Sequence, residues 1–191
     1  MYFYKGEAER EWPCCLHAVF SIGGIQIRFV NQWSHLGHLI TDSLDDNNDI
    51  AVRRNTLCGQ INNVICYFAN LDAVTKLKLF NTYCSSFYGS VIWNLESPAI
   101  QNVCIAWRKG LRRVWGLPFN THWDLLPLMC CSISILDELF RRTAQFINQR
   151  LSSECLIISD VARHGVFFGC MMSPLGKNAF HCCNRYGIPS M

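Results

Sequence analysis

Four cations fall within six positions: Arg108, Lys109, Arg112 and Arg113. No acidic residue interrupts them. Placed at 100° per residue, they span roughly 80° to 220° around a helix whose apolar stripe is centred near 0°. Such a strip suits the backbone of a nucleic acid, where affinity comes mostly from neutralising phosphates. Guanidinium adds a two-pronged grip on phosphate. A solvated basic face on a surface helix is the plain alternative. Arg53, Arg54, Lys76 and Lys78 add second-rank positive points on two preceding helices.

Other constellations carry less. His35 and His38 frame a His-Leu-Gly-His stretch. Read as one strand, the two side chains point to opposite faces and form no metal site. His181, Cys182 and Cys183 lie together, but structural zinc wants four ligands with looped spacing. Cys14 or His17 would have to complete the set. Between Gly169 and Gly176 stand six residues where a P-loop has four, and Asn178 follows Lys177 where Ser or Thr is needed. Asp45-Asp46 falls in a polar loop ahead of a helix and reads as capping. Two-metal phosphoryl transfer needs carboxylates held rigidly, and the sequence offers no such pair. No Gly-x-Ser-x-Gly motif occurs. Catalytic residues and metal ligands are both read as none.

The elements that must carry these residues change character at about residue 45. Ala18 to Ile22 and Ile25 to Val30 flank Gly23-Gly24, a hairpin signal. Trp33 to Ile40 reads as a third strand. Ile50, Leu57, Ile61, Val64, Ile65 and Phe68 share one face of a helix over 49–68, capped by Asp46 or Asn47. Asp72 opens a second helix with Val74, Leu77, Phe80, Cys84, Phe87, Tyr88 and Val91 in its stripe. The third carries Ile100, Val103, Cys104, Trp107, Leu111, Val114 and Trp115 inward and stops at Gly116 and Pro118. Thr121 to Leu126 reads as a short helical turn. Ser134 and Asp137 resemble a capping box for a fourth helix, and a shorter one spans 154–163. Beyond Gly165 the pattern dissolves. The expected fold is mainly α: a helical bundle over 46–165, a β-hairpin or three-strand unit over 1–45, and an irregular tail over 166–191.

Composition agrees with a packed chain. Of 191 residues, 50% are hydrophobic and 16% charged, which excludes disorder and coiled coil as descriptions of the whole. No 18-residue apolar run occurs, and no signal-peptide stretch opens the chain, so an intracellular protein without a membrane span is expected, in nucleus or cytoplasm alike. Residues 1–97 hold seven Lys/Arg against nine Asp/Glu, a net of −2; residues 98–191 hold ten against five, a net of +5. The twelve cysteines are read as reduced thiols, several of them buried as small hydrophobes.

Trp33-Ser-His-Leu-Gly-His-Leu-Ile-Thr41, Asp49-Ile-Ala-Val-Arg-Arg-Asn55 and Gly59-Gln-Ile-Asn-Asn-Val64, with the stretches that follow them, together resemble reverse transcriptases of non-LTR (LINE-type, jockey-like) retrotransposons. Lys76-Leu-Lys-Leu-Phe80 and Tyr83-Cys-Ser-Ser-Phe-Tyr-Gly89 are the most specific. Trp107 to Pro118, Leu125-Leu-Pro-Leu128, Ser173-Pro-Leu-Gly-Lys-Asn178 and Cys182-Cys-Asn-Arg-Tyr-Gly187 continue them in order, over about residues 20–187.

The resemblance implies the end of a polymerase palm, followed by thumb and post-thumb helices. The family's paired catalytic aspartates lie upstream and have no counterpart here, and Met1 resembles an internal methionine of a parent polyprotein. The parent would be a Mg²⁺-dependent RNA-directed DNA polymerase, with Mg²⁺ expected only there. The chain itself is expected to be a non-catalytic thumb-like fragment whose partners are RNA or RNA–DNA duplex backbone and the missing palm. The alternatives are an inert relic or helical protein-interaction module without a nucleic-acid ligand, and a tail held by zinc at His181, Cys182 and Cys183.

Overall fold

The computed structural model describes residues 21–27, 30–168 and 172–187. Ala18 to Phe20 of the first expected strand, Arg28 and Phe29 of the second, and Cys14, Cys15, His17 and Gly169 lie outside the described residues. The fold is mainly α, with two short antiparallel hairpins preceding seven α-helices among those residues. The chain divides into two compact units, Met1–Asp49 and Ile50–Met191.

In the first unit, β1 (Ser21–Ile22) pairs with β2 (Ile25–Gln26) across Gly23 and Gly24, whose φ angles of 58° and 79° require glycine's freedom. The single strand expected over Trp33 to Ile40 is instead a second hairpin, β3 (Gln32–His35) with β4 (His38–Thr41). Leu36 at φ 48° and Gly37 at φ 80° make the turn. A leucine in the left-handed region is uncommon, which hides this turn from the residue types. Thr41 and Asp45 then close a tight corner: the Asp45 N–H donates to Thr41 Oγ1 at 3.0 Å and that hydroxyl donates to the Asp45 carbonyl at 3.2 Å.

In the second unit, helix ends follow their caps. The α1 helix (Asn47–Tyr67) turns Leu57, Ile61 and Val64 inward. Asp72 caps α2 (Ala73–Tyr83), its carboxylate accepting the Thr75 N–H at 2.9 Å. The second helix is shorter than expected. After Cys84 the chain leaves the helical path, with Gly89 at φ 77° before a 3-10 turn at Ser90–Ile92, so Phe87, Tyr88 and Val91 lie beyond α2. Ser97 caps α3 (Pro98–Trp115), Pro98 starts it and Gly116, at φ 63°, ends it. The short helix expected over Thr121 to Leu126 forms further on, as α4 (Leu125–Met129). Ser134 Oγ accepts the Asp137 N–H at 3.2 Å and donates to its carboxylate at 2.6 Å, opening α5 (Ile135–Leu151). The α6 helix spans Leu156–Arg163.

The tail expected to be irregular over 166–191 contains a helix, α7 (Pro174–Tyr186). Ser173 caps it, Pro174 opens it and Gly187 closes it at φ 62°. Its inward positions include Asn178 beside Cys182, and the polar residue in the stripe breaks the apolar periodicity that would announce a helix. Asn178 Nδ2 donates to the Trp93 carbonyl at 2.7 Å, and its Oδ1 accepts the Leu95 N–H at 3.2 Å. The core joins Phe80, Trp93, Trp107, Leu111, Leu126 and Leu139, drawn from every stretch between α2 and α5.

Candidate nucleic-acid interface

Gly110 determines how closely α3 meets its neighbours. A Cβ built there would stand 2.6 Å from Ile61 Cδ1 of α1 and 2.9 Å from Phe80 Cε2 of α2. A larger residue at 110 would hold the helices apart. With glycine, α1 and α3 flank an open groove of about 480 Å³. Arg54 and Cys58 line one wall with Asn62; Lys109 and Arg113 line the other with Asn102. No carboxylate stands among the described residues that line it. Arg113 donates to Asn62 Oδ1 at 2.7 Å, which fixes one guanidinium across the groove. Arg54 donates to Asn55 Oδ1 at 3.0 Å. Lys109 and Arg113 are exposed and Arg54 is half-buried.

The four cations of α3 thus separate into two rows. Arg108 and Arg112 are half-buried and turn the other way, toward the segment after the helix. Arg108 lies 5.5 Å from the Trp123 ring centroid and donates Nε to the Cys104 carbonyl at 3.1 Å. Arg112 lies 6.0 Å from the Phe119 centroid and donates Nε and one terminal N–H to the Thr121 carbonyl, at 3.2 and 2.8 Å. Both guanidinium groups hold a loop. Periodicity could not foretell this, because the loop's return path is not written in the helix.

The second-rank cations do not assemble as a set. Arg54 joins the groove; Arg53, half-buried on α1, is absent from its lining. Lys76 donates to the Ala69 carbonyl at 2.7 Å, which ties α2 to the turn before it. Lys78 is exposed on α2 and also lies outside the groove lining. The groove residues that sequence reasoning missed are Cys58, Asn62 and Asn102. Their only signal is the pairing of α1 with α3 through Gly110.

Asp45 and Asp49 are held by structural partners. Asp45 accepts the Asn47 N–H at 3.1 Å and its Nδ2 at 3.0 Å, so it serves the start of α1. Asp49 is buried, accepting the Leu39 N–H at 3.1 Å with His38 Nδ1 at 3.3 Å. The hairpin register sets His35 and His38 opposite each other, not on opposite faces of one strand. His181 Nδ1 lies 3.0 Å from Glu96, and Cys182 is buried with its thiol toward the Phe140 carbonyl at 3.7 Å. No cluster of three or more His, Cys, Asp or Glu that could hold a metal occurs among the described residues.

The described cysteines are free thiols. Burial pushes Cys84 and Cys182 up to about 11 and raises Cys104 and Cys130. Cys58, Cys66, Cys131 and Cys155 are exposed. No helix among the described residues is long and apolar enough to cross a membrane. In comparisons with known proteins, no family model, curated protein or solved structure matches the chain.

Proposed function

We propose that this chain binds the backbone of RNA or an RNA–DNA duplex and is the non-catalytic, thumb-like part of a non-LTR retrotransposon RNA-directed DNA polymerase. The observation that carries the binding is the groove: three cations from two helices, amide side chains among them and no acid. The resemblance of the ordered motifs supplies the family. Duplex recognised by backbone and shape needs positioned cations and amides rather than base readout. Lys109, Arg113 and Arg54 fill that role; Arg108 and Arg112 shape the adjoining loop. Lys109→Glu with Arg113→Glu should weaken binding of a blunt RNA–DNA hybrid at least tenfold, while Lys78→Glu with Arg163→Glu, an equal change in net charge outside the groove, leaves it unchanged. Equal losses in both variants would point to net charge alone and defeat the assignment.

A second reading, a helical protein-interaction module, has one observation in its favour. The outer face of α6 exposes Leu156, Ile157 and Val161, while small Ser159 and Ala162 face inward. Exposed apolar patches drive association. A concentration-independent monomer by light scattering would count against it.

A further inference from the structure

The loop after α3 presents three rings within five residues: Phe119, His122 and Trp123. Phe119 is 79% exposed and Trp123 52%. Rings of this size bury large areas in cores and interfaces. Here Phe119 and Trp123 each have a guanidinium over the ring, Arg112 at Phe119 and Arg108 at Trp123. The cations are four residues apart on one helix and the rings four apart in the loop, so the two pairs match one for one. The two hydrogen bonds that Arg112 donates to the Thr121 carbonyl pin the loop between the rings. His122 lies against Trp123, with centroids 5.9 Å apart and planes 29° from parallel. Asp124, 3.3 Å from His122 Nδ1, is the one carboxylate of this loop.

We propose that Phe119 and Trp123 form a stacking platform for unpaired bases of a single-stranded extension, whose phosphates are drawn by the cations of α3. A flat exposed ring with a cation over one face suits a base joined to a phosphate: the base stacks on the other face and the positive charge attracts the backbone. The inference rests on the nucleic-acid reading of the groove and adds a ligand class to it, single-stranded as well as duplex. Stacking accepts any base, so the preference is for unpaired nucleotides and not for a sequence. Each ring removed should cost roughly 5- to 150-fold in affinity for such a strand.

The test compares two fluorescein-labelled probes on the full 191-residue chain. One is a blunt RNA–DNA hybrid; the other is the same hybrid with an unpaired extension of about six nucleotides, within the usual site size of such platforms. The unmodified protein should prefer the extended probe at least about 25-fold, about fivefold for each ring. Phe119→Ala with Trp123→Ala should erase that preference and leave blunt-hybrid affinity unchanged. Phe119→Tyr with Trp123→Phe should retain it, because stacking surface remains. The proposal is overturned if the extension adds nothing, or if the preference survives the double alanine variant; the groove reading still stands in both cases if the blunt hybrid binds. A change of oligomeric state in the alanine variant, with binding unaltered, overturns it in favour of a protein contact. If neither probe binds, the groove reading has failed and the stacking proposal fails with it.

Discussion

Replacing Asn178 with alanine tests the least expected tie in the second unit. Asn178 is 2% exposed and joins α7 to the chain at Trp93 and Leu95, which are buried too. The substitution takes the acceptor from the Leu95 N–H and a donor from the Trp93 carbonyl. Two net hydrogen bonds contribute on the order of 1 kcal/mol each, and a buried N–H deprived of its partner costs about 1–3 kcal/mol. A loss of about 3 kcal/mol follows, a large share of the roughly 5–15 kcal/mol that holds a domain folded. Urea unfolding followed by tryptophan fluorescence reads it. With a slope of about 2 kcal/mol per molar, the midpoint should fall by about 1.5 M at unchanged slope. A shift of less than about 0.3 M would refute the reasoning, since the bond pair would then add little beyond packing.

Four further outcomes follow. Gly110→Val should destabilise by roughly 1–3 kcal/mol through overpacking against Ile61 and Phe80, read by thermal melting, and should also weaken hybrid binding by forcing α1 from α3. Cys58 should react with a maleimide in the native protein and be protected by bound hybrid, while Cys155 reacts equally with and without it; mass spectrometry of peptides locates the label. Cys84, Cys104, Cys130 and Cys182 should label only after unfolding, and native labelling of Cys84 would contradict the core. The hydrogen bond from Arg141, aided by Arg142 and opposed by partial burial, holds Glu138 below its ordinary range. Its stabilisation is therefore complete above the unfolded glutamate value and is lost as pH falls through the lower folded value. Glu138→Gln should cost about 1 kcal/mol at neutral pH, a cost that vanishes in acid; a gap independent of pH would show that the charge is not responsible.

Much of this architecture is legible in the residues. Asp72, Gly116 and the Ser134–Asp137 pair mark helix ends because capping is local chemistry. Gly23-Gly24 marks its hairpin for the same reason. Leu36 defeats the strand reading because its left-handed backbone is paid for by the hairpin, not by its own preferences. The α7 helix is hidden by Asn178, whose value lies in partners more than 80 positions away. The cationic strip was visible on α3, but its division was not. Which guanidinium groups face α1 and which hold Phe119 and Trp123 depends on where other segments return.

The most direct measurement is the salt dependence of blunt RNA–DNA hybrid binding by the unmodified chain and by Lys109→Ala with Arg113→Ala. Each phosphate contact contributes about 0.9 to the slope of log affinity against log salt in B-form duplex, and the hybrid should behave similarly. The groove account predicts a steep slope that drops by about 2 in the double variant. Hybrid binding with an unchanged slope, or no binding at low salt, would contradict it.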